Sequence, residues 1–319
     1  MRVIAFYTFF ELKDAIGLKK EIKNFFKNIV TKGNILVGPE GLNGTIAVPE
    51  LHEQKTINFL KEIGVKENHI KYSNFDSDRF FKKKLKVKIK KEIVTSNFNL
   101  SVEDIKKGQF IDPKNWENFI SQEDVTIIDT RNEYEFKMGH FKNAINPKIE
   151  SFGEFKNYID ANKDKLKNKK VAIYCTGGIR CEKASAYYKH KGFKNVFQLE
   201  GGIIEYTRQV KDQGLENKFL GKNFVFDHRR SERISDDVIS NCHQCGSPFD
   251  SHTNCANEGC HLLFIQCDVC AEKMEHTCSD ECHQIIQLPF EQQKELRKGT
   301  HASNKIFKKG RSQKLQFKK

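Results

Sequence analysis

The sequence has no apolar stretch long enough to cross a bilayer, and its first residues lack a signal-peptide cleavage pattern. The N-terminal segment MRVIAFYTFFELKD soon turns charged. These absences argue against a membrane-spanning or secreted protein, and we expect a cytoplasmic location with no membrane partner. Thiols stay reduced there, so closely spaced pairs among the ten cysteines indicate metal binding or catalysis rather than disulfides.

The sequence also lacks the usual signatures of redox cofactors. No two-histidine-one-carboxylate set is evident, and no dinucleotide fingerprint follows a predicted strand. Acidic residues are outnumbered, since 42 Asp and Glu against 55 Lys and Arg give a net charge of +13. This surplus favours a polyanionic partner, with nucleic acid as the first candidate, although a lysine-rich proteome would produce the same surplus.

A stretch between a predicted strand and a predicted helix has the pattern of a reactive cysteine site. The strand is 171–174, the helix begins at Cys181, and the loop between them consists of Cys175, Thr176, Gly177, Gly178, Ile179 and Arg180. Loop N–H groups, the helix dipole and the Arg180 cation each favour a thiolate at Cys175. The alternative is an inert core cysteine, and Gly-Gly followed by arginine argues against it. We predict that Cys175 is catalytic and that the other loop residues stabilise its charge.

Residues 1–94 show the β-α-β-β-α-β order of a ferredoxin-like domain. The predicted strands are 3–9, 35–37, 45–48 and a final strand ending near 94, and the predicted helices are 14–30 and 51–63. A run of turn-forming residues, 38–44, joins the second strand to the third.

The final strand of this domain alternates lysine with apolar residues. Leu85, Val87 and Ile89 are expected to face the core, and the other face carries Lys84, Lys86, Lys88 and Lys90. Lysines on one face of a strand lie roughly 7 Å apart, which suits successive phosphates of a nucleic acid. The row is therefore a candidate RNA-binding surface, and a soluble edge strand is the equally weighted alternative.

Residues 95–122 are predicted to be a linker with a short helix around Trp116. From residue 123 to 217, strands alternate with helices, which predicts a parallel sheet covered by helices. Ligands of such sheets bind at the carboxyl ends of the strands, where Cys175 lies. We therefore expect its thiol to be reachable at the rim of the sheet.

Residues 218–290 contain a cysteine-rich segment. Its four close pairs are Cys242/Cys245, Cys255/Cys260, Cys267/Cys270 and Cys278/Cys282. Eight thiolates suit two structural Zn²⁺ ions, and nearby histidines could replace some of them: His243, His252, His261, His276 and His283. The pairs can combine in sequence, or the first with the third and the second with the fourth. Residues 291–319, rich in lysine and arginine, are predicted to be a disordered basic tail.

Several motifs resemble the rhodanese superfamily. They are Ile128-Asp129-Thr130-Arg131 with Gly139-His140-Phe141 and Ala144-Ile145-Asn146, the Cys175–Arg180 loop, and Leu199-Glu200-Gly201-Gly202. The resemblance implies that His140 is a structural residue and that Asp129 and Arg131 support the loop. Cys181 can be a second reactive thiol or a helix-packing residue.

A closer resemblance covers nearly the whole chain. The sequence is similar to the oxygen-dependent tRNA uridine hydroxylases at Gly38-Pro39-Glu40-Gly41-Leu42-Asn43-Gly44-Thr45, Lys90–Val94, Cys175–Lys183 and Phe224-Val225-Phe226-Asp227. It departs from them at Asp227-His228-Arg229, where an acidic residue more often follows the aspartate. The resemblance implies an N-terminal ferredoxin-like (acylphosphatase-like) domain, a rhodanese domain and an essential cysteine at Cys175. It also implies hydroxylation of the wobble uridine in the tRNA anticodon loop to 5-hydroxyuridine, with O₂ as co-substrate.

Three other functions fit parts of the sequence. A sulfurtransferase acting through a Cys175 persulfide leaves the cysteine-rich segment and the N-terminal domain unexplained. A non-enzymatic RNA-binding adaptor leaves the intact Cys175 loop unexplained. Phosphatases of related fold use a loop one residue longer than the four residues between Cys175 and Arg180, and the shorter loop suits a sulfur-sized group.

Overall fold

The computed structural model describes residues 1–74, 84–105, 108–225 and 231–298. By its internal contacts the chain divides into two compact units. The first contains the described residues of 1–133 and 143–218 together with Val225, and the second contains residues 134–142, 219–224 and the described residues after 230. Within the described ranges, no helix has both the length and the apolar character needed to span a membrane.

The N-terminal part of the first unit is a sheet whose described strands run in the order β4-β1-β3-β2-β5. Its elements are β1 (Arg2–Phe9), α1 (Ala15–Phe25), β2 (Lys32–Gly38), β3 (Gly41–Val48), α2 (Glu53–Glu62), β4 (Ile70–Asn74) and β5 (Lys86–Ile89). The first four strands pair antiparallel, whereas β5 pairs in parallel with β2. The β-α-β-β-α-β order is confirmed, but its fourth strand is β4.

The lysine-rich strand is therefore not the last strand of the ferredoxin-like unit. The sequence interpretation missed β4, which pairs with β1 at one edge of the sheet. The lysine strand is the additional strand β5 at the opposite edge. Alternation of lysine with apolar residues identifies a strand but cannot tell which neighbour it pairs with.

The hairpin between β2 and β3 is tighter than predicted. The expected turn 38–44 shrinks to Pro39 and Glu40, because the ladder continues to the pair Gly38 and Gly41. Gly41 has a φ of 131°, and a Cβ there would lie 2.0 Å from the Thr8 carbonyl oxygen of β1. Glycine thus serves here as a strand residue that lets two backbones approach closely.

Strand β1 buries side chains on both of its faces. Ile4 and Phe6 join the cluster formed with α1 and α2. Tyr7 and Phe9 join a different cluster that includes Ala186 of the later domain. Because strand side chains alternate, one run of apolar residues serves two cores, and this places Tyr7 towards the cysteine-bearing domain.

The rest of the first unit contains the predicted parallel sheet, in the order β6-β10-β9-β7. The described elements from residue 102 to 213, of which β8 and most of α5 belong to the second unit, are α3 (Val102–Ile105), β6 (Phe110–Ile111), α4 (Pro113–Ile120), β7 (Val125–Asp129), α5 (Glu133–Phe136), β8 (Gly139–Phe141), α6 (Phe155–Ala161), α7 (Lys163–Leu166), β9 (Lys170–Tyr174), α8 (Ile179–His190), β10 (Val196–Leu199) and α9 (Gly202–Gln213). Helix α8 is central, since every residue from Arg180 to Tyr188 is buried.

A buried lysine on α8 ties the two parts of the first unit together. Lys183 is 2% exposed. Its Nζ lies 2.9 Å from Glu40 Oε2 and 2.7 Å from Glu92 Oε1, and it donates to the Val94 carbonyl at 3.0 Å. These partners belong to the β2–β3 hairpin and to the segment after β5, so the ammonium group is neutralised by the N-terminal part of the chain.

The second unit is built from short elements. They are β8, β11 (Phe219–Phe224), β12 (Ser231–Arg233), β13 (His252–Asn254), β14 (Leu263–Ile265), α10 (Asp268–Lys273), α11 (Asp280–Ile286) and α12 (Phe290–Arg297). β8 pairs antiparallel with β11, so it does not belong to the parallel sheet. Helix α12 lies where the sequence predicted the start of a disordered tail, and residues 299–319 of that tail lie outside the described residues.

Candidate active site

The Cys175 loop connects strand β9 to helix α8. Cys175 follows the last residue of β9, and α8 begins at Ile179, two residues before the predicted start. Gly178 has a φ of 102°, which glycine adopts without strain. Its N–H donates to the Cys175 sulfur, with an N···Sγ distance of 3.1 Å. The residue that precedes the helix thus places a donor on the sulfur.

The start of helix α9 fixes the other side of the loop. The Ile203 N–H donates to the Cys175 carbonyl at 3.0 Å, and the Ile204 N–H donates to the Thr176 carbonyl at 3.1 Å. Gly202 has a φ of +68°, and a Cβ there would lie 2.6 Å from the Cys175 carbonyl oxygen. The glycine pair after β10 therefore lets α9 approach closely enough to hold the loop backbone.

The Cys175 thiol is ionised at neutral pH. Burial would raise its pKa, but four interactions outweigh this effect: the Cys181 side chain, the Arg180 charge and the N–H groups of Cys181 and Gly178. Together they lower the pKa of Cys175 to about 5. Arg180 also donates to Thr176 Oγ1, at 3.3 Å from Nη2. The thiolate is the nucleophilic form of cysteine.

Cys181 is fully buried beside Cys175. Burial and the hydrogen bond to Cys175 raise the pKa of Cys181 well above its usual value, so it stays a thiol. Its sulfur lies 3.7 Å from Thr130 Oγ1. Cys181 therefore supplies a hydrogen bond to the thiolate and packs in the helix core.

The structure corrects one expectation about Cys175. Its side chain was expected at an accessible rim of the sheet, but it is 0% exposed. The thiolate lies at the carboxyl end of β9 as predicted, and α8, α9 and neighbouring side chains cover it. A position at a strand end specifies which edge of the sheet a residue occupies, not whether another element covers it.

Three residues near the loop were missed in the sequence. Tyr7 of β1 donates to Glu182 Oε1 of α8 at 3.4 Å. The Tyr7 ring stacks on His69, with centroids 4.5 Å apart. His69 Nε2 lies 3.9 Å from the same carboxylate oxygen. Glu182 could have been noticed in the sequence because it directly follows Cys181. Nothing in the local sequence connects it to Tyr7.

The residues predicted to have structural roles, Asp129, Arg131 and His140, lie outside the Cys175 loop. Asp129 and Arg131 form a fully buried ion pair at 2.6 Å, and Arg131 lies over the Tyr174 ring at the end of β9. In the second unit, His140 stacks on Phe136 and its Nδ1 lies 2.9 Å from the Phe136 carbonyl oxygen.

The eight cysteines of the second unit form two groups of four. The groups are Cys242/Cys245/Cys267/Cys270 and Cys255/Cys260/Cys278/Cys282, and within each the sulfur atoms lie within 4.8 Å of one another. The first pair thus combines with the third and the second with the fourth, which selects the interleaved alternative. Neither group includes a histidine, as far as the described residues show.

The geometry of both groups fits a tetrahedral metal ion. A Zn–S bond of about 2.3 Å places two thiolates of a tetrahedral site about 3.8 Å apart. The Cys245–Cys267, Cys260–Cys278 and Cys278–Cys282 sulfur distances are 3.6, 3.7 and 3.8 Å. Backbone and amide donors also reach the sulfurs, from the Cys267 N–H to Cys242 and from Asn257 Nδ2 to Cys282, each at 3.4 Å.

Comparisons with known proteins extend over both units. A UPF0176 acylphosphatase-like model matches residues 1–93, a rhodanese-like model 112–209 and a rhodanase C-terminal model 220–283. The tRNA uridine(34) hydroxylase of Yersinia pestis (strain Pestoides F) is 43% identical over 97% of this chain and 87% of its own length. The chain belongs to the tRNA uridine(34) hydroxylase family.

A second tRNA uridine(34) hydroxylase and one solved structure are also similar to this chain. The tRNA uridine(34) hydroxylase of Yersinia enterocolitica serotype O:8 is 42% identical over 97% of this chain and 89% of its own length. Among solved structures, a rhodanese-like domain from Anabaena sp. is 20% identical, covers 36% of this chain and 80% of its own length, and has a TM-score of 0.29.

In this member of the hydroxylase family, the lysine row lies along edge strand β5. All four lysines, Lys84, Lys86, Lys88 and Lys90, are exposed. Leu85 and Val87 belong to the N-terminal core, but Ile89 is 42% exposed, so the prediction that it faces the core is wrong. Ile89 is the last residue of β5, and the core cluster ends at Val87. Residues 226–229, which carry part of the family resemblance, lie outside the described residues.

Proposed function

We propose that this chain hydroxylates uridine 34 of tRNA to 5-hydroxyuridine, with O₂ as the co-substrate. The observation that carries the proposal is 43% identity to a tRNA uridine(34) hydroxylase over 97% of the chain. That similarity includes the N-terminal domain, the cysteine loop and the cysteine-rich unit together. A shared rhodanese fold alone would account only for the middle of the chain.

Cys175 is the proposed nucleophile. Its sulfur is ionised at neutral pH and accepts a hydrogen bond from the Gly178 N–H. The Arg180 charge and the Cys181 thiol stabilise the same negative charge, and the loop backbone is held by α9. The wobble base belongs to a single-stranded loop, whose bases can be unstacked and inserted into a protein site. Since the sulfur is buried, the base reaches it only when the side chains that cover it move.

A sulfurtransferase is the alternative function. Its support is the rhodanese-like match over residues 112–209 and the loop of four residues between Cys175 and Arg180. In that reaction the thiolate would attack the sulfane sulfur of thiosulfate and release sulfite, and the Cys175 persulfide so formed would pass this sulfur to an acceptor and return to the thiolate. Production of thiocyanate from thiosulfate and cyanide tests this activity directly.

The test of the main proposal is nucleoside mass spectrometry of tRNA. The chain is expressed in a bacterium that lacks its own tRNA uridine(34) hydroxylase, and 5-hydroxyuridine is expected to return. Growth under isotopically labelled dioxygen should place the label in the new hydroxyl group. Thiolated uridine in its place would favour the sulfurtransferase, and unmodified tRNA despite a folded, abundant protein would reject the hydroxylase.

Zinc is the metal we assign to the two cysteine groups. Four thiolates without an open coordination position are typical of structural Zn²⁺ sites, and the sulfur spacing fits such an ion. The metal would hold together short elements that bury little apolar surface. Cys255, Cys278 and Cys282 already pack with Leu262 and Phe264 in one small cluster.

The lysine row of β5 is the proposed contact with the tRNA backbone. Changing Lys84, Lys86, Lys88 and Lys90 to glutamine should raise the Kd for tRNA and reduce the salt dependence of binding. Loss of four phosphate contacts reduces the magnitude of the slope of log K against log salt by roughly 2.8 to 3.6. Filter binding or fluorescence anisotropy over a salt series measures both quantities.

A matched control variant distinguishes a specific role of the lysine row from a general effect of positive charge on tRNA binding. It removes the same charge elsewhere in the first unit, by changing to glutamine Lys163, Lys165, Lys167 and Lys169. This variant should bind tRNA nearly as the unchanged chain does. Equal effects of the two variants, or no effect of the first, would mean that β5 is only a soluble edge strand.

A further inference from the structure

Glu182 is a buried carboxyl next to the cysteine pair. It lies in the first turn of α8, directly after Cys181, and is 5% exposed. Two of its partners come from the N-terminal domain: the Tyr7 hydroxyl at 3.4 Å and His69 Nε2 at 3.9 Å from Oε1. The Gln198 side chain of β10 also interacts with the carboxyl group. A buried carboxyl without a close cation is costly to ionise.

Tyr7 connects this carboxyl to the cysteine loop. A Cβ on Gly178 would lie 2.7 Å from the Tyr7 hydroxyl oxygen, so the hydroxyl lies directly against Gly178. The Gly178 N–H is the donor to the Cys175 sulfur. The Tyr7 ring is held by stacking on His69 and by an edge contact with Phe9. Glu182, Tyr7, Gly178 and Cys175 therefore form a continuous series of contacts.

Among the described residues, the charged and titratable groups that act on Glu182 include Tyr7, His69, Lys66 and Cys175. Burial is the main influence and raises the pKa of Glu182 to about 7, helped by the Cys175 charge and opposed by Gln198, Tyr7 and Lys66. Burial, Lys71 and Lys66 lower the pKa of His69 to about 4, so the imidazole is neutral at neutral pH and does not compensate the carboxylate. Burial raises the pKa of Tyr7 well above its usual value, so its hydroxyl stays protonated.

We propose that Glu182 is a positioning residue of the Cys175 centre, which contacts the cysteine loop through Tyr7 and holds a proton while Cys175 is ionised, so that the centre carries a single negative charge. This rests on the proposed role of Cys175. When this charge state forms, the S–H bond of Cys175 breaks and an O–H bond forms on the Glu182 carboxylate. Only a proton moves, and neither residue is oxidised or reduced. The thiolate with a neutral acid is the favoured pair, because the thiol is the stronger acid of the two.

The arrangement predicts a loss of activity on the alkaline side. When Glu182 ionises, a second buried anion stands near the thiolate and opposes an anionic RNA substrate. The hydroxylation rate should therefore fall above pH about 7, by roughly tenfold per pH unit. Glu182→Gln, which stays neutral, should remove this alkaline limb. Tyr7→Phe should move it to higher pH, because the Tyr7 hydrogen bond lowers the pKa of Glu182.

A second measurement needs neither tRNA nor turnover. Infrared titration follows the carbonyl band of the protonated Glu182 carboxyl, assigned by its disappearance in Glu182→Gln. The band should be lost with a midpoint near pH 7, and at lower pH in Cys175→Ser, because the Cys175 charge raises the pKa of Glu182. If tRNA is never hydroxylated, the proposed function fails, while this titration still decides the Glu182 proposal.

Two matched variants exclude a general structural effect. Glu117 is another partly buried carboxyl that accepts a hydrogen bond from a tyrosine, Tyr206, and Tyr187 is another buried tyrosine that donates to a carboxylate, Asp160. Glu117→Gln and Tyr187→Phe should keep the pH profile and the Glu182 band. An alkaline limb that persists in Glu182→Gln, or a lower rate with an unchanged profile, would overturn the proposal.

Discussion

Replacing Cys175 with alanine should abolish 5-hydroxyuridine formation while the protein remains folded. The change removes one buried sulfur atom, the group on which the Gly178 N–H, the Arg180 charge and the Cys181 thiol converge. Cys181 is the thiol that remains beside the loop, but burial keeps its pKa well above the usual value, so it stays protonated and does not replace the Cys175 thiolate. Nucleoside mass spectrometry of tRNA from cells that carry the variant gives the activity, and a circular dichroism melting curve shows whether the fold survives.

The neighbouring cysteine provides the control for this prediction. Cys181→Ala removes a hydrogen bond that lowers the pKa of Cys175, so the pKa should rise and activity should be lost first on the acidic side. At neutral pH we expect a smaller loss than with Cys175→Ala. The activity of Arg180→Ala should lie between those of Cys175→Ala and Cys181→Ala, since this change removes a charge but keeps the nucleophile. Normal 5-hydroxyuridine levels in Cys175→Ala would remove Cys175 from the mechanism.

Metal removal should unfold the second unit. We expect about two Zn²⁺ per chain, one for each group of four cysteines. Binding of structural zinc can contribute about 10–16 kcal/mol to the stability of a small domain. Elemental analysis of protein purified without chelator gives the stoichiometry, and limited proteolysis after chelation shows which segments open.

Single substitutions sharpen the zinc prediction. Cys245→Ser or Cys260→Ser should each reduce the zinc content by about one ion, because each residue belongs to a different group. Cys181→Ser, which changes a cysteine outside both groups, should keep two ions. Iron with a redox-active signal would instead give the cysteine groups a part in electron supply, and a chain stable without metal would contradict a structural role.

Local chemistry in the sequence was sufficient to predict the centre of the site. The strand, glycine pair and arginine around Cys175 specify a strand-loop-helix, and the structure has that arrangement. The close cysteine pairs likewise indicate metal sites. The combination of pairs was left open, because each pair can share a tetrahedral ion with any other and only the fold decides which ones meet.

Long-range partners could not be predicted in the same way. Tyr7 and Glu182 are separated by 175 residues, and their contact depends on which face of β1 meets α8. The alternation of the lysine strand indicated that Leu85 and Val87 face the core, but it failed for Ile89, and it gave no sign of the pairing with β2. Burial of Cys175 also depends on helices that the sequence places next to the loop without fixing how closely they approach.

The buried Lys183 has a consequence for how this chain can be divided. Its positive charge lies on a helix of the rhodanese-like part, whereas its counter-ions, Glu40 and Glu92, lie in the region of the N-terminal family match. A rhodanese-like fragment cut out at the boundary near residue 94 would keep the cation and lose both anions. A chimera that joins the N-terminal domain of one relative to helix α8 of another should therefore keep this contact only when both parents carry the same charges at these positions.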